Sequence, residues 1–243
     1  MRNFSFEEYR HIINWVKDNY DIIDYNDVKD NTKSYAIIRH DVEFSPIRSL
    51  QIAKIDNELG IKSSYFFQLR NNCYNSLSGE NIDIIKEISD LGHYIGSHIN
   101  TSEFNSAESL ESFVVKDIET LKNYTDIKID RFSFHRPKPY QLREYMKIQG
   151  YVNAYDDKYF HYFEGDKPEK LRVRYIADSS HLWKYGYPTD EYHEKLHLVL
   201  HPYSWTEKGF DNYENFKSVI EEKNEELVKS YNSETKNFPM ELL

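Results

Sequence analysis

A lone cysteine, Cys73, leaves no partner for an intrachain disulfide. That fits a reducing compartment. No apolar run approaches the roughly 18 residues that a membrane span needs. Residues Met1 to Glu8 lack the apolar stretch of a signal peptide. These absences lead to the expectation of a cytoplasmic protein without a membrane span. Positive charge is also scarce. Thirty-one Lys and Arg stand against 41 Asp and Glu, for a net charge of −10. A phosphate backbone calls for a basic face, so nucleic acid is not expected as a partner. No Gly/Ser linker, internal repeat or low-complexity block divides the chain, and residues 1–243 read as one domain. What is present, 39% apolar and 30% charged residues, suits a globular chain with a real core.

Short β-like runs alternate with helical ones. Ser5 and Glu8 form a capping-box pattern ahead of Tyr9, Ile12, Ile13 and Val16 at helical spacing. Tyr35 to Ile38 reads as a buried strand that ends at Arg39-His40-Asp41. Ser45 and Pro46 then open a helix whose inner stripe reads Ile47, Leu50, Ala53 and Leu59, stopped by Gly60. Further strands are predicted over 63–69, 93–98, 131–135, 151–155, 171–177 and 196–201. Helices are predicted over 80–91, 110–121, 141–149 and 212–231. Seven strands separated mostly by helices imply parallel pairing with right-handed crossovers. In about 240 residues this suggests a barrel one unit short of eight. A doubly wound open sheet is the alternative.

The reactive residues gather at the C-terminal ends of those strands. Asp41 and Glu43 follow the first, His98 ends the third, His135 and Arg136 end the fourth, Asp178 ends the sixth and His201 the seventh. In β/α barrels the active site lies at that rim. Asp41 and Glu43 are two apart and can face one side of an extended chain, as metal ligand and general base. His98 can add a nitrogen ligand, whereas His93, five residues earlier, would face away. Pro137 and Pro139 stiffen the exit from the fourth strand and place Arg136 and Tyr140 at the rim, where an arginine can grip a catalytic carboxylate bidentately. His135 is a candidate ligand. His201 emerges from Leu198-Val199-Leu200 just before Pro202 and can protonate a leaving amine. Asp178, Tyr140 and Trp205 are candidate substrate contacts, a carboxylate and aromatic faces being common in sugar sites.

The order of these pieces resembles the polysaccharide deacetylase family, carbohydrate esterase family 4, and within it a subgroup associated with surface-polysaccharide biosynthesis. The resemblance runs from about residue 35 to 205. It rests on Arg39-His40-Asp41-Val42-Glu43, on Leu59-Gly60-Ile61 through Phe67, and on Gly92-His93-Tyr94-Ile95-Gly96-Ser97-His98. Phe134-His135-Arg136-Pro137, Tyr175-Ile176-Ala177-Asp178-Ser179 and Leu200-His201-Pro202 complete it. It implies a distorted (β/α)7 barrel with one divalent metal, commonly zinc, that hydrolyses an N-acyl group on a small sugar or oligosaccharide. Asp41 matches the family's base, Arg136 the residue that orients it, His201 the acid and His98 the first metal histidine. Three departures stand out. Glu43 replaces an aspartate that normally adjoins the first, so Asp41 and Glu43 can exchange roles. Ser102 stands where a second metal histidine is usual, and His135, Asn100 or Glu103 would have to replace it. Lys138 is inserted before Pro139. Two other readings remain beside the sugar deacylase: a hydrolase of a non-sugar amide, and an inactive barrel that binds a glycan or a protein.

Overall fold

The computed structural model describes residues 3–102, 107–143, 145–161, 172–237 and 239. Seven strands form one sheet: β1 (Tyr35–Val42), β2 (Ser64–Phe67), β3 (Tyr94–Asn100), β4 (Ile129–His135), β5 (Val152–Asn153), β6 (Arg174–Ala177) and β7 (Lys195–Leu200). Every pairing is parallel, in the order β5-β4-β3-β2-β1-β7-β6. This is the circular order of a barrel opened between β5 and β6. Across the opening, Phe160 packs edge-on to both Tyr155 and Tyr175, with centroids 5.0 and 5.4 Å apart. The sheet is therefore a curled, incompletely closed (β/α)7 barrel.

Its helices are α1 (Phe6–Asn19), α2 (Pro46–Glu58), α3 (Gly79–Asp90), α4 (Ala107–Thr125), α5 (Pro139–Arg143) and α6 (Asn212–Glu234). Their starts follow the capping chemistry. Ser5 Oγ accepts from Glu8 N–H, and Ser45 Oγ accepts from Arg48 N–H just ahead of Pro46. Among the described residues, no helix is long and apolar enough to cross a membrane.

All eight residues of β1 are buried, and their alternation sorts two interiors. Ala36, Ile38 and Val42 join the main core beneath the helices, whereas Tyr35 and Ile37 pack inside the barrel with Tyr25, Phe66 and Tyr159. Arg39 and Asp41 continue that inner face towards the C-terminal rim. At the other end, Arg131 closes the barrel by pairing with Asp24 and Asp130 and donating to Ser64 Oγ. Gly96 makes room for this packing. A Cβ there would lie 2.5 Å from Phe66 Cε1 and 2.8 Å from Arg131 Cγ, so any larger residue would force these side chains to shift.

The outer face of β1 buries His40 in a polar network. Tyr9 OH lies 2.8 Å from His40 Nε2 and donates to Asp56 Oδ1 at 2.6 Å. Ser63 and Tyr65 hydroxyls donate to Asp56 Oδ2 at 2.6 and 2.8 Å. Burial pushes the Asp56 carboxyl up to about 6, against the three hydroxyl donors.

Of the stripe that apolar spacing predicts for α2, Ala53 is buried and Leu50 and Leu59 pack against the core, and the network widens this buried face. Ser49, Ile52, Ala53, Ile55 and Asp56 point inward, and Ile47 is exposed. Arg48 is also drawn in, by Glu222, Asn215, Ser218 and the Tyr203 carbonyl. Polar partners on α1, β2 and α6 add to the apolar stripe, of which only Ile47 is left exposed. The helix predicted over 141–149 is shorter as well. Its last described helical residue is Arg143, and Tyr145 adopts φ 46°, which no helix interior allows. Strand β5 is correspondingly reduced to two residues, and Leu171 and Glu103 lie outside the described residues.

Candidate metal centre and active site

The rim of the barrel holds a cleft of about 690 Å³, with Asp41, Glu43, His98, His135 and His201 on its floor. Each arrives by strand alternation. Asp41 and Glu43 continue the inner face of β1, His98 and His135 are inward residues of β3 and β4, and His201 is the first residue beyond β7.

Glu43, His98 and His135 each offer one donor atom, and these atoms all lie within 4.8 Å of one another. His98 is buried, and its Nε2 has no hydrogen-bond partner. Its Nδ1 is 2.7 Å from Ser133 Oγ. With the proton on Nδ1, Nε2 presents a free lone pair to the cleft. Burial lowers the His98 pKa against the pull of Asp41 and Glu43, which favours the neutral, ligating form. Glu43 Oε1 lies 2.9 Å from His135 Nδ1. Burial opposes its charge, but His201, His135 and His98 hold the carboxyl well below the usual range. Two imidazoles and a carboxylate are a donor set that suits a divalent transition metal. An orphaned ring nitrogen within it is what such an ion would satisfy, so these residues fit the group.

Asp41 stands beside this set, with Oδ2 3.7 Å from His98 Nε2. Arg39 grips it from two residues upstream, Nε donating to Oδ1 and Nη2 to Oδ2, both at 2.7 Å. Nη2 also donates to Tyr155 OH at 3.2 Å. Burial disfavours the Asp41 charge, but the guanidinium outweighs it and lowers the pKa. The carboxylate is thus ionised and fixed in orientation.

On the far side, His201 Nε2 faces Glu43 Oε1 at 3.7 Å, and its Nδ1 lies 2.6 Å from Asp178 Oδ1. Asp178 is fully buried and also accepts from the His201 backbone N–H at 3.0 Å and the Trp205 indole N–H at 2.8 Å. Burial works against a charged imidazole, yet Glu43 and Asp178 raise its pKa to about 9. A protonated His201 with Nδ1 tied to Asp178 can release a proton only from Nε2, into the cleft.

Several residues sit elsewhere than their sequence positions suggest. Arg136 does not grip Asp41, whose two oxygens are taken by Arg39. It occupies a left-handed backbone position, φ 51°, with its side chain exposed on the rim and its carbonyl accepting from Thr101 Oγ1 at 3.1 Å. Asp178 faces His201 and Trp205 rather than the cleft. Trp205 is fully buried against Phe4 and Tyr9. Tyr140 on α5 does not line the cleft. Ser102 hydrogen-bonds Asn100 Oδ1 within its own turn, and His135 stands in the donor set instead. His93 is buried on the helix side, 2.9 Å from the Ala53 carbonyl.

Sequence reasoning gave Arg39 and Ser133 no role. Arg39 carried a signal, being a charge in an apolar strand two residues before Asp41 and hence on its face. Ser133 carried none. The cleft walls are largely aromatic. Phe44, Tyr203 and Phe216 pack together on one side with centroids 4.7 to 5.7 Å apart, and Tyr155, Phe160 and Tyr175 stand on the other.

No family model matches the sequence, and no curated protein does. Among solved structures, the chain is similar to a family 4 carbohydrate esterase from Bacillus anthracis at 16% identity and TM-score 0.46, covering 88% of this chain and 85% of that one. It is also similar to the chitin deacetylase of Colletotrichum lindemuthianum at 17% identity and TM-score 0.39, covering 79% of this chain and 84% of that one. A third is a family 4 pseudoenzyme from Bacillus anthracis, at 14% identity and TM-score 0.43, covering 82% of this chain and 63% of that one.

Proposed function

We propose that this chain is a metal-dependent hydrolase that removes an N-acyl group, acetyl or formyl, from a sugar or sugar precursor, and that it serves surface-polysaccharide biosynthesis. One observation carries the reading. A Glu/His/His donor set, an arginine-held aspartate and an aspartate-held histidine converge on one aromatic-walled cleft. Binding alone does not call for all three. A divalent ion, zinc first, held by Glu43, His98 and His135 would supply Lewis acidity towards the acyl oxygen and the attacking water. Asp41 is the group that takes the water's proton, and Arg39 keeps its carboxylate ionised and aimed. His201 gives a proton from Nε2 to the leaving nitrogen, and Asp178 holds the ring so that only this nitrogen can donate. The aromatic walls exclude water from the reacting amide and offer faces to a sugar ring.

The test is metal content by elemental mass spectrometry alongside amine release from a panel of N-acyl sugars. Wild type is expected to carry about one equivalent of divalent ion and to release amine. His98→Ala and His135→Ala should lose the ion, Ser102→Ala should keep it, and Asp41→Asn should keep it but lose turnover. Wild-type protein that is metal-free and takes up no added zinc, cobalt or manganese would refute the reading.

A further inference from the structure

The cleft is acidic at its floor and basic at its lips. Asp41 and Glu43 are the only carboxylates among its lining residues, and both belong to the floor. Two cations line it at the rim: Arg136 beyond β4, and Lys184 in the segment that follows β6. Among the described residues, neither side chain has a carboxylate partner, although the whole chain carries ten more negative charges than positive. Ser179 and Ser180 stand on the same lip as Lys184, and the Tyr185 ring lies 5.4 Å from its Nζ.

Both lips are also held in an uncommon backbone conformation. Five described non-glycine residues have positive φ, and three of them are here: Arg136 at 51°, Ser180 at 58° and His181 at 59°. Such residues are strained and persist only where their surroundings enforce them, commonly at ligand clamps. The enforcing contacts are present. Thr101 Oγ1 holds the Arg136 carbonyl, and His181 stacks on Phe4 at 3.7 Å with its Nε2 3.0 Å from the Phe210 carbonyl.

Resting on the deacylase reading, we propose that the substrate carries a phosphate or diphosphate on its sugar, bound between Lys184 with its two serines on one lip and Arg136 on the other. Unpaired cations beside hydroxyl donors are phosphate-binding chemistry. A neutral glycan would gain no ion pair from either cation. The phosphate can belong to a nucleoside-diphosphate sugar or to a prenyl-diphosphate-linked sugar.

Calorimetric binding separates this inference from the activity. The full chain carrying Asp41→Asn, to suppress turnover, is titrated with N-acetylglucosamine, its 1-phosphate, UDP-N-acetylglucosamine and a short prenyl-diphosphate-linked N-acetylglucosamine. The phosphorylated probes should bind about tenfold or more tightly than the neutral sugar, and the advantage should shrink with added salt. Adding Lys184→Gln or Arg136→Gln should bring the ratio of dissociation constants towards one. Tighter binding of the UDP probe assigns the soluble source, and tighter binding of the prenyl probe the lipid-linked one. Equal binding of neutral and phosphorylated probes, or no binding of any, overturns the inference. So does a preference unchanged by both substitutions, since the phosphate would then sit on the metal ligands. If wild type releases amine from neutral sugars alone, this inference falls and the deacylase stands. A preference that depends on Lys184 and Arg136, without amine release from any substrate, has the opposite meaning.

Discussion

The Asp56 network makes a prediction that needs no substrate. The carboxyl is fully buried, accepts three hydroxyl donors and titrates at about 6 in the folded chain, against an ordinary 3.8. The cause is burial, which disfavours the anion more than the hydroxyls favour it. The folded state therefore binds this proton more tightly than the unfolded chain does. Stability from Asp56 is fully present below pH 3.8 and is lost as pH rises to about 6. At about 1.4 kcal/mol per pKa unit, the loss is about 3 kcal/mol by pH 7. Asp56→Asn removes the titration. The amide cannot accept from all three hydroxyls, so the variant also carries a pH-independent cost of about 1–2 kcal/mol. The neighbouring titratable groups, His40, Tyr9, Tyr65 and His93, are common to both proteins. Urea unfolding of each at intervals from pH 4 to 8 gives the difference in unfolding free energy. That difference should move by roughly 2 kcal/mol in favour of the variant between pH 4 and 7, the rest of the loss having occurred below pH 4. A difference that stays flat across the range would show that Asp56 is not held protonated by burial, and the reasoning would fail.

Three further outcomes are expected. Gly96→Ala should destabilise the chain by about 3 kcal/mol in the same urea assay, because the new methyl meets Phe66 and Arg131 inside the barrel. An unfolding midpoint equal to wild type would mean that the interior can give way there. Asp178→Asn should lower kcat roughly a hundredfold or more while the near-UV circular dichroism stays native, since an amide can neither fix the His201 tautomer nor balance its charge. Arg39→Lys should cost about tenfold in kcat/KM with metal content unchanged. A lysine puts its donors on a single nitrogen, where the guanidinium supplies a planar pair matched to the two carboxylate oxygens.

The strand–helix alternation, the parallel sheet and the rim were legible in the sequence because each rests on local chemistry. Buried apolar strands and N-caps such as Ser5 and Ser45 report on residues within a few positions of themselves. What was illegible depended on partners far along the chain. The inner face of α2 turned on Arg48, whose partners Asn215, Ser218 and Glu222 lie about 170 residues on. The burial of Trp205 is fixed by Phe4, Tyr9 and Asp178, no two of which are adjacent. No periodicity announces such contacts.

Arg39 and His135 show a more general point about reading sites by motif. A motif ties a role to a sequence offset, but chemistry asks only for an atom at a place. The interior of a barrel can supply that place from more than one strand. Residues two apart on a strand share a face, so Arg39 reaches the same carboxylate that Arg136 was expected to hold. Residues at one level of adjacent strands are neighbours, and Asn100 on β3 pairs with His135 on β4. His135 therefore stands beside the turn where Ser102 lacks an imidazole, and it can present a ring nitrogen to Glu43 and His98 without any change in β3. Arg39 and His135 thus fill, from a neighbouring level of the same face and from a neighbouring strand, the places where Arg136 and Ser102 do not reach. A carboxylate buried without a compensating partner would cost several kcal/mol. Here each carboxylate retains a cationic or imidazole partner within 2.9 Å.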